Sequence, residues 1–445
     1  MTFKIGMISL GCPKNQVDAE VMLKKLSDAG FVITPNEAEA DAIIVNTCGF
    51  IEEAKNEAIE NIIEAAGFKA DGKLRALIVT GCLAERYRDE ISREIPEVDV
   101  VVGIGKNGDI VSIVKEALQK HFKNAYAEKE ALSLAPQERT LTTPPYTAYL
   151  KIAEGCDNCC TFCAIPLIRG HFRSKAYDDC LKEAKALAES GVTELVLVAQ
   201  DTTRYGEDLV GKSLLPKLLR DLAKIPQLHW IRTLYTYPER ITDELLEVLR
   251  DEKKVVPYLD IPIQHCNGEI LSRMNRSGDE SSLTKLMEKI RRTVPDVTLR
   301  TTLLCGFPGE TDEQFSELAE FVKKIRFDRL GCFAYSEEED TPAAEFENQV
   351  DRQIREDRAE NIMNEQLLIA AEKNQQKIGS SCEVLIEGYD SYIRCYFGRS
   401  AADAPEIDGK IFFVSKKPLE IGTYVNVHIN DTIDYDLLGE LEETE

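Results

Sequence analysis

Three patterns in the 445-residue chain predict an α/β protein built in three parts. Near the start, three strand-like apolar runs each lead into a cysteine and then a helical segment. In the middle, apolar strands and amphipathic helices alternate six times, and after residue 378 short strands separated by glycine turns take over. The reading is an N-terminal parallel α/β sheet domain over residues 3-121, a linker over 122-145, a central open, partial (β/α)6 barrel over 146-377, and a small antiparallel β-barrel over 378-445.

Composition narrows the function classes. With 78 Asp+Glu against 54 Lys+Arg the formal charge is -24, which argues against a general nucleic-acid binder, because phosphate contact relies on Lys and Arg. No apolar run approaches the roughly 18 to 20 residues that cross a bilayer. Met1-Thr2-Phe3-Lys4 leads into a strand and not a signal sequence, so a cytoplasmic protein is expected. In such a chain 13 cysteines read as metal ligands and reduced thiols, not as disulfides.

The first strand, Lys4 to Leu10, is followed by Gly11-Cys12 and a helix carrying Met22, Leu26 and Ala29 on one face, ended by Gly30. Strand Ala42 to Val45 leads to Cys48, and strand Leu77 to Val79 leads to Gly81-Cys82. In a parallel α/β sheet these positions share the carboxyl edge, where ligands bind, so Cys12, Cys48 and Cys82 can converge into a second three-cysteine cluster site. The alternative is three small buried thiols that fall at strand ends. Gly103-x-Gly105-x-x-Gly108 fits a dinucleotide pattern, but it follows the fourth strand and lacks the later acidic residue, so a tight turn into the helix at 109-121 explains it. Loss of periodicity with Pro136 and Pro144-Pro145 marks the linker.

Candidate barrel strands are 147-152, 194-199, 230-235, 258-263, 297-304 and 328-335, with helices near 178-190, 214-224, 241-250, 280-292 and 311-325. The active site of such a barrel lies at the carboxyl ends of its strands. The first strand runs into Gly155-Cys156-Asp157-Asn158-Cys159-Cys160-Thr161-Phe162-Cys163, in which Cys156, Cys160 and Cys163 stand at Cys-x3-Cys-x2-Cys spacing. Three thiolates can hold three irons of a cubane cluster and leave the fourth open, whereas an electron-transfer cluster normally has four cysteines. The competing reading pairs Cys156/Cys159 with Cys160/Cys163 around a structural zinc. Later strand ends carry Gln200-Asp201, Tyr235-Thr236-Tyr237, Gln264-His265, Gly306-Phe307-Pro308-Gly309-Glu310 and Tyr335-Ser336. Each has a plainer reading: the glycines turn the chain, and His265 is a hydrogen-bonded core residue. Cys180, Cys266, Cys305, Cys332, Cys382 and Cys395 lack ligand-like spacing and read as structural.

A polar helical stretch, 351-377, is expected beside the barrel, and the turns of the closing β-barrel are set by Gly388, Gly409 and Gly422. Residues 379-445 hold 14 Asp+Glu and 5 Lys+Arg, a net charge of -9, which repels phosphate and suits a basic protein.

Taken in order, these motifs resemble the methylthiotransferase family of radical S-adenosylmethionine (SAM) enzymes. The cysteine stretch 156-163 matches the radical SAM signature. Ser9-Leu10-Gly11-Cys12-Pro13-Lys14-Asn15-Gln16-Val17-Asp18, Asn46-Thr47-Cys48 and Gly81-Cys82 match the family's three auxiliary cysteine sites, and the last module resembles a TRAM domain. Ile165 to Gly170 and Asp260 to His265 extend the match through the barrel. Two departures stand out: Ala19 replaces the family's serine, and Lys175 replaces an arginine, keeping the charge but losing the planar fork.

The resemblance implies two 4Fe-4S clusters, on Cys156/Cys160/Cys163 and on Cys12/Cys48/Cys82, with SAM on the open iron of the first and sulfur presented at the second. It implies that Phe162 covers the cluster and packs near the adenine, and that Gln200, Gly306, Gly309 and Tyr335 contact SAM. It also implies an electron donor such as flavodoxin or ferredoxin. Gly11-Cys12-Pro13-Lys14-Asn15 looks like the branch that modifies an aspartate of the twelfth small-subunit ribosomal protein, free or within the subunit. The β C–H of aspartate is far too weakly acidic for a side-chain base, which is why the radical route is needed. The alternative within the family is an isopentenyl-type adenosine of tRNA, which the acidity argues against. Outside it, the alternative is an iron-sulfur electron carrier or zinc-stabilised scaffold.

Overall fold

The structure, a computed structural model, describes residues 2–70 and 72–442. The expected start at Met1, the expected end of the β-barrel at 445 and the last carboxylates, Glu443 and Glu445, lie outside the described residues.

The N-terminal part is a five-stranded parallel sheet in the order β2-β1-β3-β4-β5, with β1 Lys4–Ser9, β2 Val32–Ile33, β3 Ala42–Thr47, β4 Ala76–Gly81 and β5 Val100–Val101. β3 and β4 are buried along their whole length because helices cover both faces, which is why they read as unbroken apolar runs. Alternate side chains serve separate cores. Ile44 and Ile78 pack with Met22, Leu26 and Val114, while Ile43, Val45, Leu77 and Val79 pack with Ile62. The Gly103 to Gly108 stretch is a 3-10 turn, Ile104–Asp109, leading into helix Ile110–Leu118.

Residues 122-145 have little regular structure but do not hang free. Ala125 bridges Val102, and the buried Arg139 donates to Glu20 Oε2 at 3.1 Å and to the Tyr149 carbonyl at 2.8 Å. The expected linker is a strap fastened to both neighbours.

All six expected barrel strands form: β6 Thr147–Lys151, then, after the short antiparallel pair β7 Ala153–Glu154 and β8 Arg173–Ser174, β9 Glu194–Val198, β10 Trp230–Thr233, β11 Tyr258–Asp260, β12 Thr298–Cys305 and β13 Arg329–Ala334. Helices Tyr177–Glu189, Leu215–Ala223, Asp243–Asp251, Glu280–Thr293 and Asp312–Ile325 alternate with them. The strands pair in parallel as β6-β9-β10 and β11-β12-β13. The two sheets meet through the Ile231–Val255 bridge and a Val256 N–H bond to the Ile231 carbonyl at 3.0 Å. Pro257 follows at once and has no N–H, so a continuous ladder stops there. It resumes where Thr236 N–H meets the Asp260 carbonyl at 2.9 Å.

Helix Arg352–Gln375 closes the barrel side through Ala359, Ile362 and Ile369. The last module is a closed five-stranded barrel, β14 Ser381–Asp390, β15 Cys395–Ser400, β16 Ile411–Val414, β17 Tyr424–Ile433 and β18 Asp436–Leu441, in the order β14-β15-β16-β18-β17. The expected antiparallel barrel closes through one parallel seam, β16 with β18. It is fused to the central part by buried ion pairs: Arg399 reaches Glu194 Oε2 at 2.7 Å, and Arg329 pairs with Asp403. Among the described residues no helix is long and apolar enough to cross a membrane.

Candidate active site between two cysteine trios

β1, β3 and β4 are neighbours, with Ser9 level with Asn46 and Thr47 level with Gly81. The residues just past their carboxyl ends, Cys12, Cys48 and Cys82, therefore lie along one sheet edge. Gly11 shows how tight this edge is: at φ 90° a Cβ there would stand 2.8 Å from Cys48 Cβ and 3.0 Å from its Sγ. Asn15 ties the loops together, donating to the Leu10 carbonyl at 2.7 Å and the Thr47 carbonyl at 3.2 Å, while Asn46 donates back to the Asn15 carbonyl at 2.9 Å.

The three thiols sense one another. Burial pushes Cys48 up to about 12, with the Cys82 and Cys12 thiolates adding to it, and burial raises Cys82 against the pull of Arg169. Cys12 moves the other way. Burial is its largest single influence and would raise it, but Lys14, Arg169 and the Asn15 and Lys14 backbone N–H groups together bring it below the ordinary thiol range. An all-thiol set with cations at hand suits iron-sulfur chemistry, and metal loading there releases protons.

The second trio rides the loop after β7. The Cys156 N–H bonds the Gly170 carbonyl at 3.1 Å, and Thr161 is pinned through its N–H to the Met274 carbonyl at 3.1 Å and its hydroxyl to the Arg273 carbonyl at 2.8 Å. Asn158 donates to Asp201 at 2.9 Å, and Arg240 holds both. Arg276 lies 3.7 Å from Cys160 Sγ, with Tyr237 hydroxyl at 4.0 Å. Burial raises Cys156 to about 11 and Cys163 further, with Cys160 adding to each. Cys159 differs: it is exposed, at φ 50°. Among the described residues no group of three or more His, Cys, Asp or Glu is placed to hold a single metal ion.

Between the trios runs a buried polar network. Arg169 Nη2 lies 3.3 Å from Cys82 Sγ and 3.2 Å from Asn15 Oδ1, while its Nη1 lies 2.7 Å from Asp18 and 3.2 Å from Glu154. Lys151 joins Asp18 to Glu154, the latter at 2.8 Å, and Gln200 donates to Glu154 Oε1 at 2.7 Å. Although burial alone would raise Glu154, Arg169 and Lys151 hold it well below the usual carboxylate range. Glu154 lies two residues before Cys156, so one guanidinium spans from the first trio to the root of the second. A second clasp closes the far side, where Glu338 takes Arg86 at 2.6 Å and Lys55 at 2.9 Å.

Of the other candidate residues, Phe162 lies within the second trio's loop and Gln200 reaches Glu154 at its root, while Gly306, Gly309 and Tyr335 pack on other neighbours. Phe162 packs on the barrel core, and Gln200 engages Glu154 with its Oε1 buried and unpartnered. Gly306 and Gly309 take φ of 73° and 78°; a Cβ on Gly306 would strike Arg355 Cβ at 2.7 Å, so this turn admits nothing larger. Tyr335 is buried against Phe307 with its hydroxyl unpartnered. His265 is a core residue accepting from the Asn267 N–H at 3.0 Å. Lys175 meets Glu183 with its single ammonium. Sequence reasoning missed the roles of Asp18, Lys151, Glu154 and Arg169. The available signal was Lys151 inside an apolar strand, a charge that demands a buried partner.

Residues 4–103 match the family described as uncharacterized protein family UPF0004, 150–322 match the Radical SAM superfamily, and 378–441 match the TRAM domain. Relatives named ribosomal protein uS12 methylthiotransferase RimO include those of Desulforamulus reducens, 49% identical over 98% of this chain and 99% of the relative, and Clostridioides difficile, 48% identical over 98% of each. Among solved structures, the radical S-adenosylmethionine methyltransferase TsrM from Kitasatospora setae superposes with TM-score 0.56 at 12% identity, covering 85% of this chain and 79% of its own. That likeness concerns the fold alone.

Proposed function

The chain belongs to the family of ribosomal protein uS12 methylthiotransferases, and from that membership we propose that it replaces a β-hydrogen of an aspartate in uS12 with a methylthio group. The observation that carries this reading is that the single buried Arg169 reaches both Cys82 of the first trio and Glu154, two residues before Cys156 of the second. Cys156, Cys160 and Cys163 would hold a 4Fe-4S cluster that binds SAM, and Cys12, Cys48 and Cys82 a second one. When bound, these groups supply the radical, the sulfur and the methyl group.

The chain's own residues fix the geometry. Arg169 holds the auxiliary edge at constant distance from the radical loop, and the Glu338 clasp does the same opposite. Phe162, Gln200, Gly306, Gly309 and Tyr335 would contact SAM, a role supported for Gln200 and Tyr335 by their buried, unpartnered oxygens. Cys159, exposed, is left out of the ligand set. The β-barrel carries net charge -9 and is the docking module for a basic ribosomal protein, alone or in the small subunit. Electrons come from a flavodoxin- or ferredoxin-type donor, and the reaction takes place in the cytoplasm.

The test offers purified uS12, intact small subunits and tRNA to the reduced enzyme with SAM and reads products by mass. Exchange of one aspartate hydrogen for a methylthio group is expected. Modified tRNA with untouched uS12 would overturn the reading.

A further inference from the structure

Lys14 is buried, 7% exposed, in the first turn of helix Pro13–Asp28 beside Cys12. Its ammonium lies 3.4 Å from the centre of the Tyr235 ring, and among the described residues it has no hydrogen-bonded or ion-paired partner. Tyr235 is held under it from the carboxyl end of β10 in a left-handed conformation, φ 60°, with its N–H on Asp260 at 2.9 Å and its carbonyl taking the Thr202 N–H at 3.0 Å. Such a conformation in a non-glycine residue is kept where the surroundings enforce it.

The anions nearby are already taken. Asp260 pairs with Arg300 at 3.0 Å, Asp18 with Arg169 and Lys151, and Glu154 with Lys151, Arg169 and Gln200. Cys82 has Arg169. A buried ammonium carries three donors, and neither an aromatic face nor a charge that is not hydrogen-bonded to it satisfies them.

We propose that Lys14 receives the carboxylate of the substrate aspartate. This rests on the function proposed above and deepens it. The carboxylate is bonded directly to the β-carbon that reacts, so fixing one fixes the other. The site joins the first trio's helix to a barrel strand end, so the aspartate sits between the two trios. A compact ammonium on a flexible stem is suited to a single carboxylate oxygen.

The experiment measures binding of purified uS12, and of uS12 with the target aspartate changed to asparagine, to iron-loaded native enzyme, Lys14→Met and Lys14→Arg. Iron content and affinity for SAM alone are measured in parallel. Native enzyme is expected to prefer the aspartate form about tenfold or more, the worth of a charge-assisted hydrogen bond. Lys14→Met should bind both forms alike, and Lys14→Arg should keep part of the preference. Merely balancing thiolate charge would not make the preference depend on residue 14. An undiminished preference in Lys14→Met overturns the proposal. So does a loss of SAM binding that transfers the site to the cofactor's carboxylate. Native enzyme that neither binds nor modifies uS12 overturns the functional reading itself, and this inference with it.

Discussion

Replacing Arg169 with methionine removes the group that joins the two halves of the site. Arg169 is 1% exposed and touches Asp18 at 2.7 Å, Glu154 and Asn15 at 3.2 Å and Cys82 at 3.3 Å. Without it two buried carboxylates share one cation, Lys151. Breaking a buried ion pair on one side costs about 3 to 5 kcal/mol, a large part of the roughly 5 to 15 kcal/mol that holds a domain folded. Denaturant unfolding of the metal-free protein, with hydrogen exchange along helix Pro13–Asp28, reads the loss. Asp18→Asn in the same background should be far less damaging than in native protein, because it removes one of the stranded charges. A loss under about 1 kcal/mol, or strict additivity with Asp18→Asn, would refute the reasoning. The pH dependence carries a sign. Glu154 is depressed in the folded state, so its contribution is complete above the unfolded carboxylate value of about 4.3 and is lost as pH falls through the lower folded value. The stability gap between native protein and Glu154→Gln should therefore be flat above that pH and close only below it.

Further outcomes follow from other residues. Cys159→Ala should keep its iron content and activity, measured by iron assay and product mass, since the exposed thiol stands outside the proposed ligand set. Gly11→Ala should lose roughly half the iron, because a Cβ at φ 90° drives against Cys48. Reversing Glu420, Asp431, Asp434 and Glu440, all exposed on the β-barrel, should weaken uS12 binding and flatten its salt dependence, while SAM cleavage without substrate holds. Asp403 is unsuited to that test despite its place in the acidic count, because it is buried against Arg329 and Ser400.

What the sequence reveals here is what short periods encode. Strand-cysteine-helix units and alternating βα segments are local, so the strand-end places of Cys12, Cys48 and Cys82, all six barrel strands and the closing β-barrel were legible. The missing parts are contacts between distant positions. Arg169 meets Cys82 across 87 residues, and Lys55 meets Glu338 across 283. No periodicity marks such pairs. The strap at 122-145 looked like a free linker because its order comes from Arg139 and Thr142 on Glu20, not from backbone repeats. The parallel β16–β18 seam was hidden because strand alternation is the same in either direction.

The central claim is that the two trios do different work. The direct measurement compares Cys156/Cys160/Cys163→Ala with Cys12/Cys48/Cys82→Ala, scoring 5'-deoxyadenosine formation and methylthiolation of uS12 side by side. The first variant should lose both. The second should still cleave SAM and leave uS12 unmodified, whereas methylthiolated uS12 from it would contradict the account.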